Sequence, residues 1–336
     1  MAGLRPGMGP MKILVAGPVP EGSDYGNGVT ARRWAHLFRH LGHEVRVVQD
    51  YDGGTHDLLV ALHARKSEAA IRAFGAACPA AAIVIALTGT DLYPDLVTGG
   101  VDLTLLEHAT RIVVLQPQGI RQVPPGLRSR TRVITQSMPP ISGGTPAEDR
   151  FEIAFLAHAR PVKDPLRLCE AVRLLPSSSR VTVTHVGGVR EDDIGDRLRA
   201  ESAENPRYSW LGPLPRPEAL AVLARSRLLV LTSLHEGGAN VVTEALAAGV
   251  PIVSTRIPGS VGLLGEDYAG YFPVGDTDAL AAVLDAAERD HDGLYTQLRR
   301  QCAARRASVD PERETEAWKR LLAEAVPTNA GYEGVR

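Results

Sequence analysis

The stretch Leu234-His235-Glu236-Gly237-Gly238-Ala239-Asn240-Val241-Val242-Thr243-Glu244-Ala245-Leu246-Ala247-Ala248-Gly249-Val250-Pro251 places two carboxylates around a glycine pair and the start of a helix. Asn240 suits the N-cap, Gly249 suits the position just past the helix end, and Pro251 bars continuation. This predicts Glu236 on a loop and Glu244 in the first helical turn. Amide groups at Asn240 to Thr243 would then face an anion. Carboxylates accept hydrogen bonds from hydroxyls, and a helix N-terminus takes phosphate oxygens. The pattern therefore suits a ligand that carries both. The plainer alternative is a solvated loop Glu and a helix Glu that favours the positive end of the dipole.

Upstream, the apolar run Ile153-Ala154-Phe155-Leu156-Ala157 reads as a strand, followed by His158-Ala159-Arg160-Pro161-Val162-Lys163-Asp164-Pro165. Two cations just past a buried strand stand where ligands of open α/β sheets gather. Beside a diphosphate they would stabilise charge on a departing group.

These two strings together resemble glycosyltransferase family 4, with its Glu-x7-Glu signature and two-domain GT-B fold. The resemblance implies that Glu236 contacts a donor sugar and Glu244 the ribose of the nucleotide. It also implies that Arg160 and Lys163 hold the donor diphosphate, with Arg160, Lys163 and Glu236 serving catalysis. Gly237, Gly238, Ala239, Asn240 and Val241 would complete the donor site. Family members usually carry Gly after that Lys, whereas this chain has Asp164. The implied architecture is α/β, two Rossmann-like domains with parallel sheets facing a cleft and a C-terminal helix crossing back.

A length of 336 residues suits two α/β domains. The formal net charge is −2, from 37 basic and 39 acidic residues, which argues against a nucleic-acid partner bound through a broad basic surface. No apolar run is long enough to span a membrane. Residues 1–10 lack the apolar core of a signal peptide and read as a disordered leader. Cys78, Cys169 and Cys302 are far apart and odd in number, which suggests reduced thiols and a cytoplasmic protein.

Alternation of β-rich runs and helical stretches predicts a parallel sheet in each half. Strands are expected at 12–16, 44–48, 58–62, 82–87, 111–115 and 132–135, then at 153–156, 181–186, 228–231 and 252–254. A helix is expected over Val29 to Leu41, with Trp34, Leu37, Phe38 and Leu41 as core. The Pro- and Gly-rich Met138 to Glu148 reads as the linker. That predicts an N-terminal domain over 11–140, a donor domain over 150–310 and a crossover helix over 311–326, with frayed residues beyond 327.

Gly26-Asn27-Gly28-Val29-Thr30-Ala31 matches a dinucleotide fingerprint with Asp50 downstream, but it lies too far past the first strand. It reads better as the end of a glycine-rich loop, Gly17 to Gly28, able to hold an anion. Asp50-Tyr51-Asp52 and Asp276-Thr277-Asp278 read as acidic turns, and no metal-ligand spacing appears. His36, His40 and His43 read as helix surface and turn.

The runs Tyr25 to Trp34, Leu62-His63-Ala64-Arg65-Lys66-Ser67 and Leu87-Thr88-Gly89-Thr90-Asp91-Leu92-Tyr93 resemble the selenosugar synthase branch of family 4, which serves selenoneine biosynthesis. That resemblance implies transfer of the sugar of UDP-N-acetylglucosamine or UDP-glucose to selenophosphate, with UDP leaving. It implies no cofactor and no metal. Gly26, Asn27, Gly28, Arg32, His63, Arg65, Lys66, Thr88, Thr90 and Asp91 are the expected acceptor residues. Arg32 and Arg33 could equally be solvated helix residues, Asp91 a helix cap and His63 a core histidine. Selenophosphate is already anionic and nucleophilic, so it needs cations and amides more than a base. The other readings are a family 4 enzyme with a hydroxyl acceptor, and a non-catalytic nucleotide-sugar sensor.

Overall fold

A computed structural model describes residues 9–18 and 26–326 of the chain. The expected leader, part of the glycine-rich loop and the tail beyond 326 therefore lie largely outside the described residues, as does Tyr25.

The chain forms two compact units: residues up to Gln136 together with those from Glu312, and Ser137–Pro311. The first unit holds a six-stranded sheet. Its strands are β1 (Lys12–Ala16), β2 (Glu44–Val48), β3 (Leu58–Leu62), β4 (Ala82–Leu87), β5 (Arg111–Val114) and β6 (Thr131–Val133), in the order β2-β1-β3-β4-β5-β6. Every pairing is parallel. Strands β3 and β4 are buried at every position, which matches their unbroken apolar sequences.

The second unit repeats the plan with β7 (Phe151–Leu156), β8 (Val181–Val186), β9 (Tyr208–Trp210), β10 (Leu228–Leu231), β11 (Ile252–Thr255) and β12 (Tyr271–Phe272). Their order is β12-β11-β10-β7-β8-β9, again all parallel. In each sheet the strand order reverses once: between β1 and β3 in the first, between β7 and β10 in the second. Ligands of open parallel sheets bind beyond the strand C-termini at such reversals.

The helix Pro311–Ala325 belongs to the first unit although it follows the second in sequence. Trp318 is fully buried and meets Trp34 and Phe38 edge-on, with ring centroids 4.7 and 4.9 Å away. Trp34 Nε1 donates to Glu314 Oε1 at 2.8 Å, and Arg33 pairs with the same carboxylate at 3.4 Å. Arg33 therefore secures the terminal helix.

Residues 138–147, expected as a linker, belong to the second unit, so the boundary falls earlier, between Gln136 and Ser137. Met138 N donates to Val309 O, and Ile141 N to Ala247 O. Gly144 lies so close to the Ala224 carbonyl that an added Cβ would sit 2.1 Å from it.

The structure corrects several expectations. The first-unit helix starts at Gly26, so Gly26, Asn27 and Gly28 form its first turn instead of ending a loop. His43 is buried, and its Nδ1 accepts from Met11 N, so it is not a surface residue. The two Asp-x-Asp strings, by contrast, agree with their reading as local acidic segments: Asp276 caps the helix Thr277–Arg289 through Ala279 N, and Asp52 pairs with Arg46.

Candidate functional site

In the second unit, strand β7 runs into Ala157 to Arg160, which stays paired: Ala159 N donates to Gly188 O, and Arg190 N to Ala159 O. Pro161–Lys163 makes one tight turn, and Asp164 follows at φ +42°. That left-handed backbone is what glycine adopts most readily and Asp tolerates. It accounts for the departure from the family's usual Gly. Pro165 then occupies the first helical position, where its missing N–H costs nothing.

Strand β10 delivers Thr232 to Glu236 beside this turn. Thr232 Oγ1 donates to the carbonyls of Lys163 (2.6 Å) and Asp164 (2.9 Å), and Leu234 N donates to Val162 O at 2.9 Å. The two loops on either side of the sheet reversal are thereby stitched together. Lys163 Nζ donates to Glu236 Oε1, which also accepts from Ser233 Oγ at 2.7 Å. Thr255, at the end of β11, fixes Ser233 through its carbonyl at 2.6 Å. Gly259 is required here: a Cβ would lie 2.1 Å from Glu236 O.

Arg160 is exposed and makes no ion pair among the described residues. Nearby His158 accepts from Gly188 N at 3.1 Å. Its pKa is pushed down to about 4, first by burial and then by the charges of Arg190, Arg160 and Lys163. The end of β7 is thus an electropositive place, suited to an anion.

The helix carrying the second carboxylate spans Asn240–Ala248, with Ala239 at its N-cap. The expected cap, Asn240, is instead the first helical residue. Glu244 consequently sits in the second turn, not the first. The Val242 amide is used by Ala239 O at 3.0 Å, so it does not face a ligand. Gly249 ends the helix at φ +72°, with Val250 N returning to Ala245 O. Glu244 Oε1 pairs with Arg216 Nη2 at 2.6 Å, and its side chain is 8% exposed. Arg216 escaped the sequence reading because nothing local marks it. The contact forms only when the helix Arg216–Arg225 lies beside Asn240–Ala248. Thr232, Ser233 and Gly259 escaped it too, although Thr232 and Ser233 directly precede the Glu236 loop.

In the first unit, β3 ends at His63, whose backbone is left-handed at φ +70°. His63 is buried, its Nε2 lies 3.0 Å from Thr90 Oγ1, and burial holds its pKa below the ordinary value. Asp91 is fully buried and accepts from the backbone amides of Ala64 (3.0 Å), Gly89 (2.7 Å) and Thr88 (3.1 Å). It binds the two strand-end loops together, so it has a structural part in holding them. The amides it engages are withdrawn from any anion. Arg65 is exposed and pairs with Asp95 at 3.2 Å, and Lys66 is exposed without an ion pair among the described residues. Thr88 Oγ1 is buried without a hydrogen-bond partner. Arg32 is half-buried on the helix Gly26–His40.

Residues 142–307 match the family model Glycosyl transferases group 1. A D-inositol 3-phosphate glycosyltransferase of Corynebacterium glutamicum is 28% identical over 40% of this chain and 35% of its own length. An O-antigen chain mannosyltransferase B of Escherichia coli is 26% identical over 43% of this chain and 40% of its own. The matches therefore span less than half the length of these curated relatives. Among solved structures, Anabaena HepE in complex with UDP-glucose superposes with a TM-score of 0.68 at 17% identity, over 93% of this chain and 100% of that one. Sucrose-phosphate synthase from Thermosynechococcus elongatus gives 0.74 at 15%, over 94% and 99%. At these identities the likeness shows the fold. The second unit of this chain therefore resembles the group 1 glycosyl transferases, and the chain as a whole has the GT-B fold.

Proposed function

We propose that the protein transfers the sugar of a UDP-sugar, with the nucleotide held by the second unit. The observation that carries this is the convergence of Lys163 and Glu236 from β7 and β10, at the reversal of the second sheet. In this reading Arg160 and Lys163 meet the donor diphosphate, Glu236 the sugar and Glu244 the ribose. Gly238 and Asn240 lie near phosphate. Lys163 and Arg160 offset the charge that grows on the leaving UDP, so no divalent ion is needed. The UDP-glucose of Anabaena HepE supports the choice of nucleotide.

The finer reading is that selenophosphate is the acceptor and UDP-N-acetylglucosamine or UDP-glucose the donor. A selenium lone pair attacks the anomeric carbon, the bond from that carbon to the phosphate oxygen breaks, and UDP leaves with the electron pair. This reading rests on the first-unit runs, and on exposed Arg65 and Lys66 just beyond β3 at the reversal of the first sheet. Arg32, Thr88 and Thr90 are its remaining side-chain candidates. The three cysteines are free, in keeping with a reducing cytoplasm.

A hydroxyl acceptor is the second reading, favoured by relatives named D-inositol 3-phosphate glycosyltransferase. Mass spectrometry of mixtures of UDP-N-acetylglucosamine with selenophosphate or with inositol phosphate separates the two. A selenium isotope pattern on a hexosamine supports the first. Only hydrolysed sugar with selenophosphate, beside efficient glycosylation of the inositol, establishes the second.

A further inference from the structure

Arg216 opens the helix Arg216–Arg225, where a cation opposes the positive end of the helix dipole. A basic residue in that place needs a compensating partner, and it has one. Its Nη2 lies 2.6 Å from Glu244 Oε1 and 3.7 Å from Met138 Sδ. The Glu244 side chain is 8% exposed and that of Arg216 31%. A carboxylate so withdrawn from water needs partners to offset its lost hydration, and Arg216 is one. Only one of its oxygens is engaged: Oε2 has no hydrogen-bond partner among the described residues.

We infer that Arg216 is a positioning residue, which holds Glu244 oriented so that its second oxygen accepts a ribose hydroxyl of the nucleotide. The inference rests on the proposed donor reading and extends it to discrimination between ribose and deoxyribose. A fixed carboxylate acceptor gains a strong hydrogen bond from a 2′-hydroxyl that a deoxynucleotide cannot supply. Without Arg216 the carboxylate is free to turn away, and the preference for ribose goes with it. The contact joins two helices of one unit, so it is set before any ligand arrives.

The test titrates UDP and 2′-deoxy-UDP calorimetrically into the wild type, Arg216→Met, Arg216→Lys, Glu244→Gln and the double variant Arg216→Met/Glu244→Gln. The wild type is expected to prefer UDP. Glu244→Gln should lower that preference about tenfold or more, the worth of one hydrogen bond to a charged group. Arg216→Met should lower it equally, the double variant should lose no more than either single one, and Arg216→Lys should restore part of it. Should Arg216→Met fail to fold, Arg216→Gln carries the same comparison. If Arg216→Met weakens both ligands alike and keeps the preference, Arg216 is only a structural counter-ion and the inference is overturned. A wild type that binds UDP without preferring it also overturns the inference, while the donor reading stands. A wild type that binds neither ligand overturns both.

Discussion

At the residue scale, the site is built from loop geometry as much as from charge. Asp164 is the clearest case. Its φ of +42° explains why a glycine suits this position, and why Asp, which tolerates the left-handed region, can replace it. Asp164→Gly should fold with stability close to the wild type, since it loses only a partly exposed pair with Arg167 at 3.0 Å. Asp164→Ala should be less stable than Asp164→Gly by about 1 kcal/mol. Chemical denaturation of the two variants decides it, and equal midpoints would contradict the backbone argument. The histidines make a second prediction. Burial holds His158 and His185 at about 4, below an ordinary value of 6.5. Between those values the unfolded chain binds more protons than the folded one. Stability contributed by keeping these rings neutral is therefore present above pH 6.5 and lost as pH falls toward 4. His158→Gln retains an acceptor for the Gly188 amide and removes one titrating group. Its thermal midpoint should fall less between pH 7 and pH 5 than that of the wild type. Parallel losses would remove His158 from the account.

At the element scale, the sequence told helices and strands apart well and their ends less well. Nearly every strand of five or six residues was legible, because apolar runs bounded by polar turns leave few alternatives. Of the three shortest, Tyr208–Trp210 and Tyr271–Phe272 were missed and Thr131–Val133 was found with its bounds shifted to 132–135, because two or three residues carry little periodicity. The Asn240 cap failed for a local reason: Ala239 already has the extended backbone of a cap, and no side chain is used there. The role of Asp91 was illegible because its partners come from two loops. The terminal helix was expected over 311–326 and runs Pro311–Ala325, with Trp318, Leu321 and Leu322 buried. Trp318→Ala should destabilise the first unit by about 3–5 kcal/mol, the usual cost of emptying a large aromatic site. A urea titration showing a loss below about 1 kcal/mol would mean that this helix is dispensable to the core.

At the scale of the whole molecule, the decisive feature is strand order, which sequence periodicity does not contain. Order is set by which strands pair, and pairing is non-local. Once it is known, Arg160, Lys163 and Glu236 flank the single reversal of the second sheet, and His63, Arg65 and Lys66 follow one of the two strands at the reversal of the first. The carboxylate string stands out in the sequence as a candidate ligand site because its residue types and spacing suit hydroxyls and phosphate. The counter-ion of Glu244 was not, because it stands on another helix. The central claim is that the cations after β7 hold a nucleoside diphosphate without metal. The most direct measurement is calorimetric titration of UDP, in the presence of EDTA, into the wild type and into Lys163→Met. The account predicts saturable binding by the wild type and a loss of about tenfold or more in the variant, the worth of a charge-assisted contact. Binding that needs a restored divalent ion, or that is as tight in Lys163→Met as in the wild type, would contradict it.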